Sequence, residues 1–206
     1  FLLNFEESTM AGTGVRENGK QRRLIMEKSQ VLFWEKGYAE TSMKDIANEC
    51  GFRPANIYNF FASKEEILFF ILKEEMEEIV NPIRFLEYEE NDPLQQLRFL
   101  IEIHVKITLG EKRASKLLFD TELRNLSAER RKVILDLRDD YNRIGYSILK
   151  RGINKGLFRA IDEKIALNLI ASMIVRTRLW FSPEDWMTIE DLVEFIFQFA
   201  LKGLSK

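Results

Sequence analysis

The chain has 206 residues, 46% of them hydrophobic, and its 31 lysine and arginine residues against 33 aspartate and glutamate residues give a net charge of −2. This length and content allow one large or two modest domains with a substantial core, and the charge balance by itself does not indicate nucleic-acid binding. A single cysteine excludes an internal disulfide, and the lack of an apolar run that could span a membrane predicts a cytoplasmic protein without a membrane partner.

The composition also predicts the fold class. Helix breakers are few, with four prolines and ten glycines, and no stretch alternates between apolar and polar residues. These features predict an all-α protein. The chain has one histidine and no HExxH, GxGxxG, P-loop or CxxC pattern, so we expect no metal site, no cofactor and no catalytic residues.

The N-terminal region is predicted to hold a tail followed by a basic helix. Residues 1 to 15 are rich in Gly, Ser, Thr and Glu without periodicity, which indicates a mobile tail. Four basic side chains follow that could reach phosphates or an adjacent groove of DNA: Arg16, Lys20, Arg22 and Arg23. An amphipathic helix ending at Gly37 is then indicated by the spacing of Leu24, Ile25, Leu32 and Phe33.

Two short capped helices around a glycine turn are predicted between Thr41 and Lys64. Ser42 and Asp45 have the spacing of a capping box, and Gly51 can supply the turn because glycine adopts positive φ at little cost. Pro54 fits the first position of the second helix. The apolar residues of the two helices repeat at helical spacing: Met43, Ile46, Ala47 and Cys50, then Ile57, Tyr58 and Phe61. Residues 16–63 are therefore predicted to form a three-helix, homeodomain-like helix-turn-helix domain.

The second short helix presents polar residues away from this apolar side. Arg53, Asn56 and Asn59 are of the types that bind guanine and adenine edges with two hydrogen bonds, which favours DNA reading. A solvated polar face on an ordinary helical hairpin is the alternative. Cys50 fits a small buried hydrophobe, with a redox-sensing thiol as the alternative.

Charge is distributed unevenly along the chain. From Arg16 to Lys64 there are nine basic and six acidic residues, an excess too small for one copy to bind DNA tightly. Two copies would double the phosphate contacts. The charge pattern therefore favours a homodimer.

The remaining residues, 64–206, are predicted to form about six helices. Capping residues, prolines and glycines place them at Lys64 to about Val80, Asp92–Pro93 to Thr108, about Ala114 to Leu123, Ser127 to Lys155, Asp162 to about Phe181, and from Thr188 onward. Apolar residues cover nearly the whole circumference of the last helix, which predicts burial on both sides and hence a second subunit. Chance hydrophobicity that promotes aggregation is the alternative.

Many positions at fixed distances carry a family resemblance: Leu32-Phe33, Gly37-Tyr38, Thr41-Ser42-Met43, Asp45-Ile46-Ala47, Gly51, Ile57-Tyr58, Phe61 and Ser63-Lys64-Glu65. With these residues, Gln21 to Leu68 resembles the N-terminal domain of the TetR/AcrR family of one-component bacterial transcription regulators. The resemblance implies phosphate contacts by Ser42, Lys44, Tyr58 and Lys64, and base contacts by Arg53, Pro54, Asn56 and Asn59. Many relatives have a capping Ser in place of Arg53, and His or Trp in place of Asn59, so no relative's operator sequence can be transferred.

The resemblance further implies a repressor that binds double-stranded operator DNA as a dimer and is released by a small hydrophobic effector, such as an acyl-CoA or an aromatic compound. His104 is the leading effector candidate because it interrupts an apolar stripe, although a histidine buried for structural reasons is the alternative. The other candidate effector residues are Phe119, Tyr141, Met173, Arg176 and Trp180. A helical interaction module and an enzyme without DNA binding remain alternatives to a regulator.

Overall fold

In the computed structural model, residues 7–88, 92–110, 122–182 and 186–205 are described, with the backbone alone for residues 7–16. These ranges contain eight α-helices and no strand, which confirms the all-α prediction. The α-helices are α1 (Glu7–Glu35), α2 (Met43–Glu49), α3 (Pro54–Ile57), α4 (Lys64–Val80), α5 (Pro93–Leu109), α6 (Ala128–Asn154), α7 (Glu163–Trp180) and α8 (Ile189–Leu204). Two 3-10 helices cover Asn81–Glu87 and Leu123–Asn125.

The start of α1 differs from the sequence prediction. A tail without periodicity is predicted for residues 1 to 15, but the backbone is helical from Glu7 onward. The cause is local, because few residues in this stretch strongly oppose a helix once the following turns are formed. The predicted end is confirmed, since α1 stops at Glu35 and Gly37 has a φ of 91°.

The predicted helix starts are confirmed by their caps. The hydroxyl oxygens of Ser42 and Thr188 accept hydrogen bonds from the third residue of α2 and of α8, and Asp45 and Asp191 complete the two capping boxes. Asp92 and Asp162 cap α5 and α7 with side-chain oxygens. The helix predicted from about Ala114 to Leu123 lies largely outside the described residues.

The chain forms two compact units, and the division falls within α4. The first unit contains the described residues 7–72 and 122–128, and the second contains those from 73 to 110 and from 129 to 205. Ile67, Leu68, Ile71 and Leu72 in the first turns of α4 are at most 1% exposed. A boundary between residues 63 and 64 is the prediction from the sequence, and it ignores these buried turns of α4.

Helix α5 is the centre of the second unit. It packs against both α7 and α8, and Leu97, Leu100, Ile101 and Val105 on it are at most 1% exposed. Arg151 on α6 donates hydrogen bonds to the carbonyl oxygen of Leu86 (2.8 Å) and to Oε1 of Gln96 on α5 (2.8 Å). Apolar packing and buried polar bonds together therefore hold α5 in place.

Close approach at Gly152 on α6 generates a stability prediction. A Cβ atom at this position would lie 2.1 Å from Cδ2 and 2.2 Å from Cε2 of the Phe158 ring. We expect Gly152→Ala to lower the free energy of unfolding by about 1–3 kcal/mol, since the ring is buried and must shift. Chemical denaturation followed by circular dichroism measures this change.

Gly203 on α8 provides a matched control. No heavy atom lies within 4 Å of a Cβ built there, apart from the glycine's chain neighbours and its own helix backbone. Gly203→Ala is therefore expected to leave stability unchanged or to raise it by about 0.5–1 kcal/mol through helix propensity. Equal effects of the two substitutions would contradict the packing argument.

Candidate nucleic-acid interface and effector site

The residues predicted to face DNA bases lie on the outside of the first unit. Arg53, Pro54, Asn56 and Asn59 are exposed, while Ile57 between them is fully buried. Tyr58, predicted to touch phosphate, is 57% exposed. The alternation arises because Ile57 and Phe61 point into the core at helical spacing, which turns the polar residues outward.

Ser42 and Lys44 lie at the start of α2. The Ser42 hydroxyl donates to Oδ2 of Asp45 (2.7 Å) and accepts from the Asp45 backbone N–H (3.1 Å). These hydrogen bonds, with that from Lys36, hold the pKa of the Asp45 carboxyl well below its ordinary value. Lys44 is exposed. The capping box thus fixes the Ser42 side chain, and Lys44 extends into solvent.

Lys64 has a structural role that the sequence did not predict. Its Nζ donates to the backbone oxygens of Tyr38 (2.6 Å), Ala39 (3.2 Å) and Thr41 (2.7 Å), and it lies 4.3 Å from the centre of the Tyr38 ring. Partial burial lowers the pKa of this amine. The side chain predicted to touch phosphate therefore joins the start of α4 to the loop between α1 and α2. Its phosphate contact stays a prediction.

Arg22 is similarly used within the fold. Its Nη1 donates to the Phe60 carbonyl oxygen (2.8 Å), and its guanidinium lies 4.1 Å and 4.2 Å from the ring centres of Phe61 and Phe70. The sequence signal for this role is position, since Arg22 precedes the buried Ile25 by three residues on the same side of α1. Of the basic cluster, Lys20 and Arg23 are exposed, and the side chain of Arg16 lies outside the described residues.

Few cations of this unit remain available for a partner. Lys28 pairs with Glu49 (3.0 Å) and Lys36 with Asp45 (2.9 Å). Four exposed cations make no hydrogen bond or ion pair with any residue that the structure describes: Lys20, Arg23, Lys44 and Arg53.

In the second unit, two predicted effector residues are in direct contact. Nδ1 of His104 on α5 lies 2.9 Å from the hydroxyl oxygen of Tyr141 on α6, and both side chains are buried. Which atom donates depends on the histidine tautomer. Burial raises the pKa of Tyr141, so the phenol stays neutral and can donate a hydrogen bond at any physiological pH.

Three other predicted effector residues occupy a different location. Met173, Arg176 and Trp180 line a groove between α7 and α8 with a volume of about 480 Å³, and Arg176 and Trp180 are exposed. The structure therefore does not place them beside His104, because the stripe they form on α7 faces away from the side that packs on α5. Phe119 lies outside the described residues.

Large apolar side chains are exposed around this groove. Leu169 and Trp180 on α7 are 61% and 60% exposed, and Phe195 and Phe199 on α8 are both 60% exposed. The opposite side of α8 is buried through Leu192, Val193, Ile196 and Phe197. We refer to Leu169, Trp180, Phe195 and Phe199 as the apolar face. Such a surface usually marks an interaction site.

Two further searches concern the described residues alone. They contain no group of three or more His, Cys, Asp and Glu side chains that could hold a metal ion. Within the same ranges, every helix is too short or too polar to cross a lipid bilayer.

Comparisons with known proteins cover both units. The family model described as "Bacterial regulatory proteins, tetR family" matches residues 25–70, and "Tetracyclin repressor-like, C-terminal domain" matches residues 90–204. The crystal structure of PfmR, a TetR family transcriptional regulator from Thermus thermophilus, is 31% identical with a TM-score of 0.78, over 88% of this chain and 99% of PfmR.

Two more distant proteins extend the comparison. The HTH-type transcriptional repressor KstR2 from Rhodococcus jostii (strain RHA1) is 22% identical over 90% of this chain and 91% of the repressor. AibR, crystallised with isovaleryl coenzyme A and operator DNA, is 22% identical with a TM-score of 0.75, over 87% of this chain and 97% of AibR. Because one family model alone spans more than half of the residues and a second spans the helix-turn-helix, the chain belongs to the TetR family of bacterial regulatory proteins.

Proposed function

We propose that the chain is a ligand-responsive transcriptional repressor that binds a palindromic operator as a homodimer and releases it when a small hydrophobic effector binds. The observation that carries the proposal is the row of exposed residues Arg53, Asn56, Tyr58 and Asn59, held outward by the buried Ile57 in a TetR-family helix-turn-helix. Their side chains offer the hydrogen-bonding groups that match base edges and phosphates.

The apolar face is proposed to bind a second copy of the chain. Its exposed aromatic rings and the groove of about 480 Å³ beside them could be filled by the same elements of a symmetric partner. Helices α7 and α8 of each copy would then form a four-helix interface around a two-fold axis. Two recognition helices related by that axis would meet major-groove sites about 34 Å apart, which requires a palindromic operator.

The buried pair of His104 and Tyr141 is proposed to be the polar contact of the effector. Their 2.9 Å contact supplies a neutral phenol and an imidazole within an apolar surrounding that includes Ile101 and Val105. An acyl-CoA is the proposed effector class, supported by the isovaleryl coenzyme A in the AibR complex. An aromatic compound is the second candidate. Effector and DNA would bias the same equilibrium in opposite directions.

The proposal also includes a cytoplasmic location and the absence of catalytic activity. Both are supported by membership of a family of bacterial regulatory proteins. The same membership disfavours a helical interaction module or an enzyme without DNA binding.

Removal of recognition side chains tests the DNA contact. We expect the double variant Asn56→Ala, Tyr58→Ala to bind the promoter DNA of its own gene at least about 10-fold more weakly than the unaltered protein, since each good base contact contributes about 1–3 kcal/mol of discrimination. Fluorescence anisotropy of labelled duplex DNA measures the affinity. Lys132→Ala on α6 is the control, because this exposed lysine forms a local ion pair with Asp136. Equal binding by both variants would reject the DNA interface.

Charge placed on the apolar face tests the dimer. We expect the double variant Phe195→Glu, Phe199→Glu to sediment as a monomer and to lose operator affinity, because two carboxylates per copy would have to be buried in the interface. The control is Val133→Glu on α6, a position that is 37% exposed outside this face. Analytical ultracentrifugation measures the mass and circular dichroism checks the helix content. A stable dimer of the double variant would contradict the proposed interface.

Tyr141 tests the effector site. We expect Tyr141→Phe to raise the acyl-CoA concentration needed to release DNA by about 10-fold, the effect of losing one buried hydrogen bond, with DNA affinity in the absence of effector unchanged. Tyr146→Phe is a matched control on the same helix, because Tyr146 lines a separate polar groove with Ser147 and Lys150. The measurement is anisotropy of operator DNA titrated with a series of acyl-CoA esters. Identical release curves for both variants and the unaltered protein would rule out this site.

A further inference from the structure

Arg53 directly precedes α3 and takes the capping position with φ −70° and ψ 142°. Ser, Thr, Asp and Asn are favoured at this position because their side chains accept a hydrogen bond from the first turn of the helix, typically stabilising it by about 1 kcal/mol. Arg53 makes no such bond within the described chain. The residue present is therefore one that helix stability alone would not favour.

Arg53 also differs from most other cations of the first unit. Arg22 lies between two aromatic rings, Lys64 bonds three carbonyl oxygens, and Lys28 and Lys36 are paired with carboxylates. The guanidinium of Arg53 is exposed and makes no hydrogen bond or ion pair with a described residue. In the segment from Arg53 to Asn59 it is the sole charged side chain. Its five N–H donors are thus available to an external partner.

The neighbours of Arg53 favour a base over a phosphate as that partner. Asn56 follows three residues later on the same side of the helix, is exposed, and is suited to an adenine edge. Pro54 and Ala55 between them are small and exposed, which lets this end of α3 approach the groove closely. In helix-turn-helix proteins the first residues of the recognition helix contact base edges. A guanidinium matches O6 and N7 of guanine with two parallel hydrogen bonds.

We propose that Arg53 is the specificity-determining residue of the operator complex and selects a guanine in each half-site. This inference rests on the proposed DNA-binding function and extends it to the identity of one base. The absent cap and the base contact are two consequences of the same residue: stability of α3 is lower than a serine would give, and sequence discrimination is higher.

Selection from a library of random DNA duplexes tests the proposal, with the unaltered protein, Arg53→Ser, Arg53→Lys and Lys44→Ser compared. The unaltered protein is expected to enrich one guanine in each half-site. Arg53→Ser should lose that preference by about 10-fold or more, and Arg53→Lys should lose part of it, because a lysine keeps the charge without the paired donors. Lys44→Ser also removes one exposed cation and is expected to keep the same consensus with weaker binding overall.

A single-atom change in the DNA gives an independent measurement. Substitution of the enriched guanine by 7-deazaguanine removes the N7 acceptor and is expected to weaken binding of the unaltered protein by about 5-fold or more, while Arg53→Ser responds less than twofold. Thermal melting keeps folding under control, since a serine cap should give a Tm equal to or above that of the unaltered protein.

Each result decides between base and phosphate contact. If Arg53→Ser enriches the same guanine with uniformly lower affinity, Arg53 contacts a phosphate and the proposal is overturned while DNA binding stands. If the unaltered protein enriches no duplex sequence at all, the proposed function fails together with this inference. Loss of the guanine preference in Arg53→Ser alone, with Lys44→Ser unaffected in consensus, supports it.

Discussion

Burial of Ile57 and Phe61 is the constraint on which the presentation of the recognition residues depends. A helix of four residues does not form by itself in water, so α3 takes its geometry from the core beneath it. Arg22 strengthens that core by bonding the Phe60 carbonyl oxygen and by lying against the Phe61 and Phe70 rings. The exposed polar residues of α3 are thereby held by contacts that lie entirely on its other side.

Helix α5 has a comparable role in the second unit. Its apolar residues pack against α7 and α8, while Gln96 and His104 bond Arg151 and Tyr141 on α6. Both helices that carry the apolar face therefore share a packing partner with the proposed effector contact. A shift of α5 of even a fraction of an ångström would have to be accommodated by α7 and α8, because close-packed helices transmit such displacements. This gives the proposed effector a physical connection to the proposed dimer interface.

Features that depend on nearby residues could be predicted from the sequence, and features that depend on distant ones could not. The capping residues Ser42, Asp92, Asp162 and Thr188 act within three positions, and the structure confirms each. The carbonyl contact of Lys64 with Tyr38 spans 26 positions and that of Arg22 with Phe60 spans 38. Periodicity also leaves undecided which of two apolar sides meets the core, so the sequence predicts an effector contact for Met173 and Trp180 although they line the exposed groove.

The use of Arg22 and Lys64 within the fold affects how strongly DNA binding should depend on salt. Counterions are released from the duplex in proportion to the phosphates that protein cations neutralise. Four cations per chain remain unpaired among the described residues of the first unit, Lys20, Arg23, Lys44 and Arg53, and a contact by a neutral group such as the Tyr58 hydroxyl releases none. The fold therefore limits the ionic-strength sensitivity of the complex to well below what the nine basic residues between Arg16 and Lys64 would suggest.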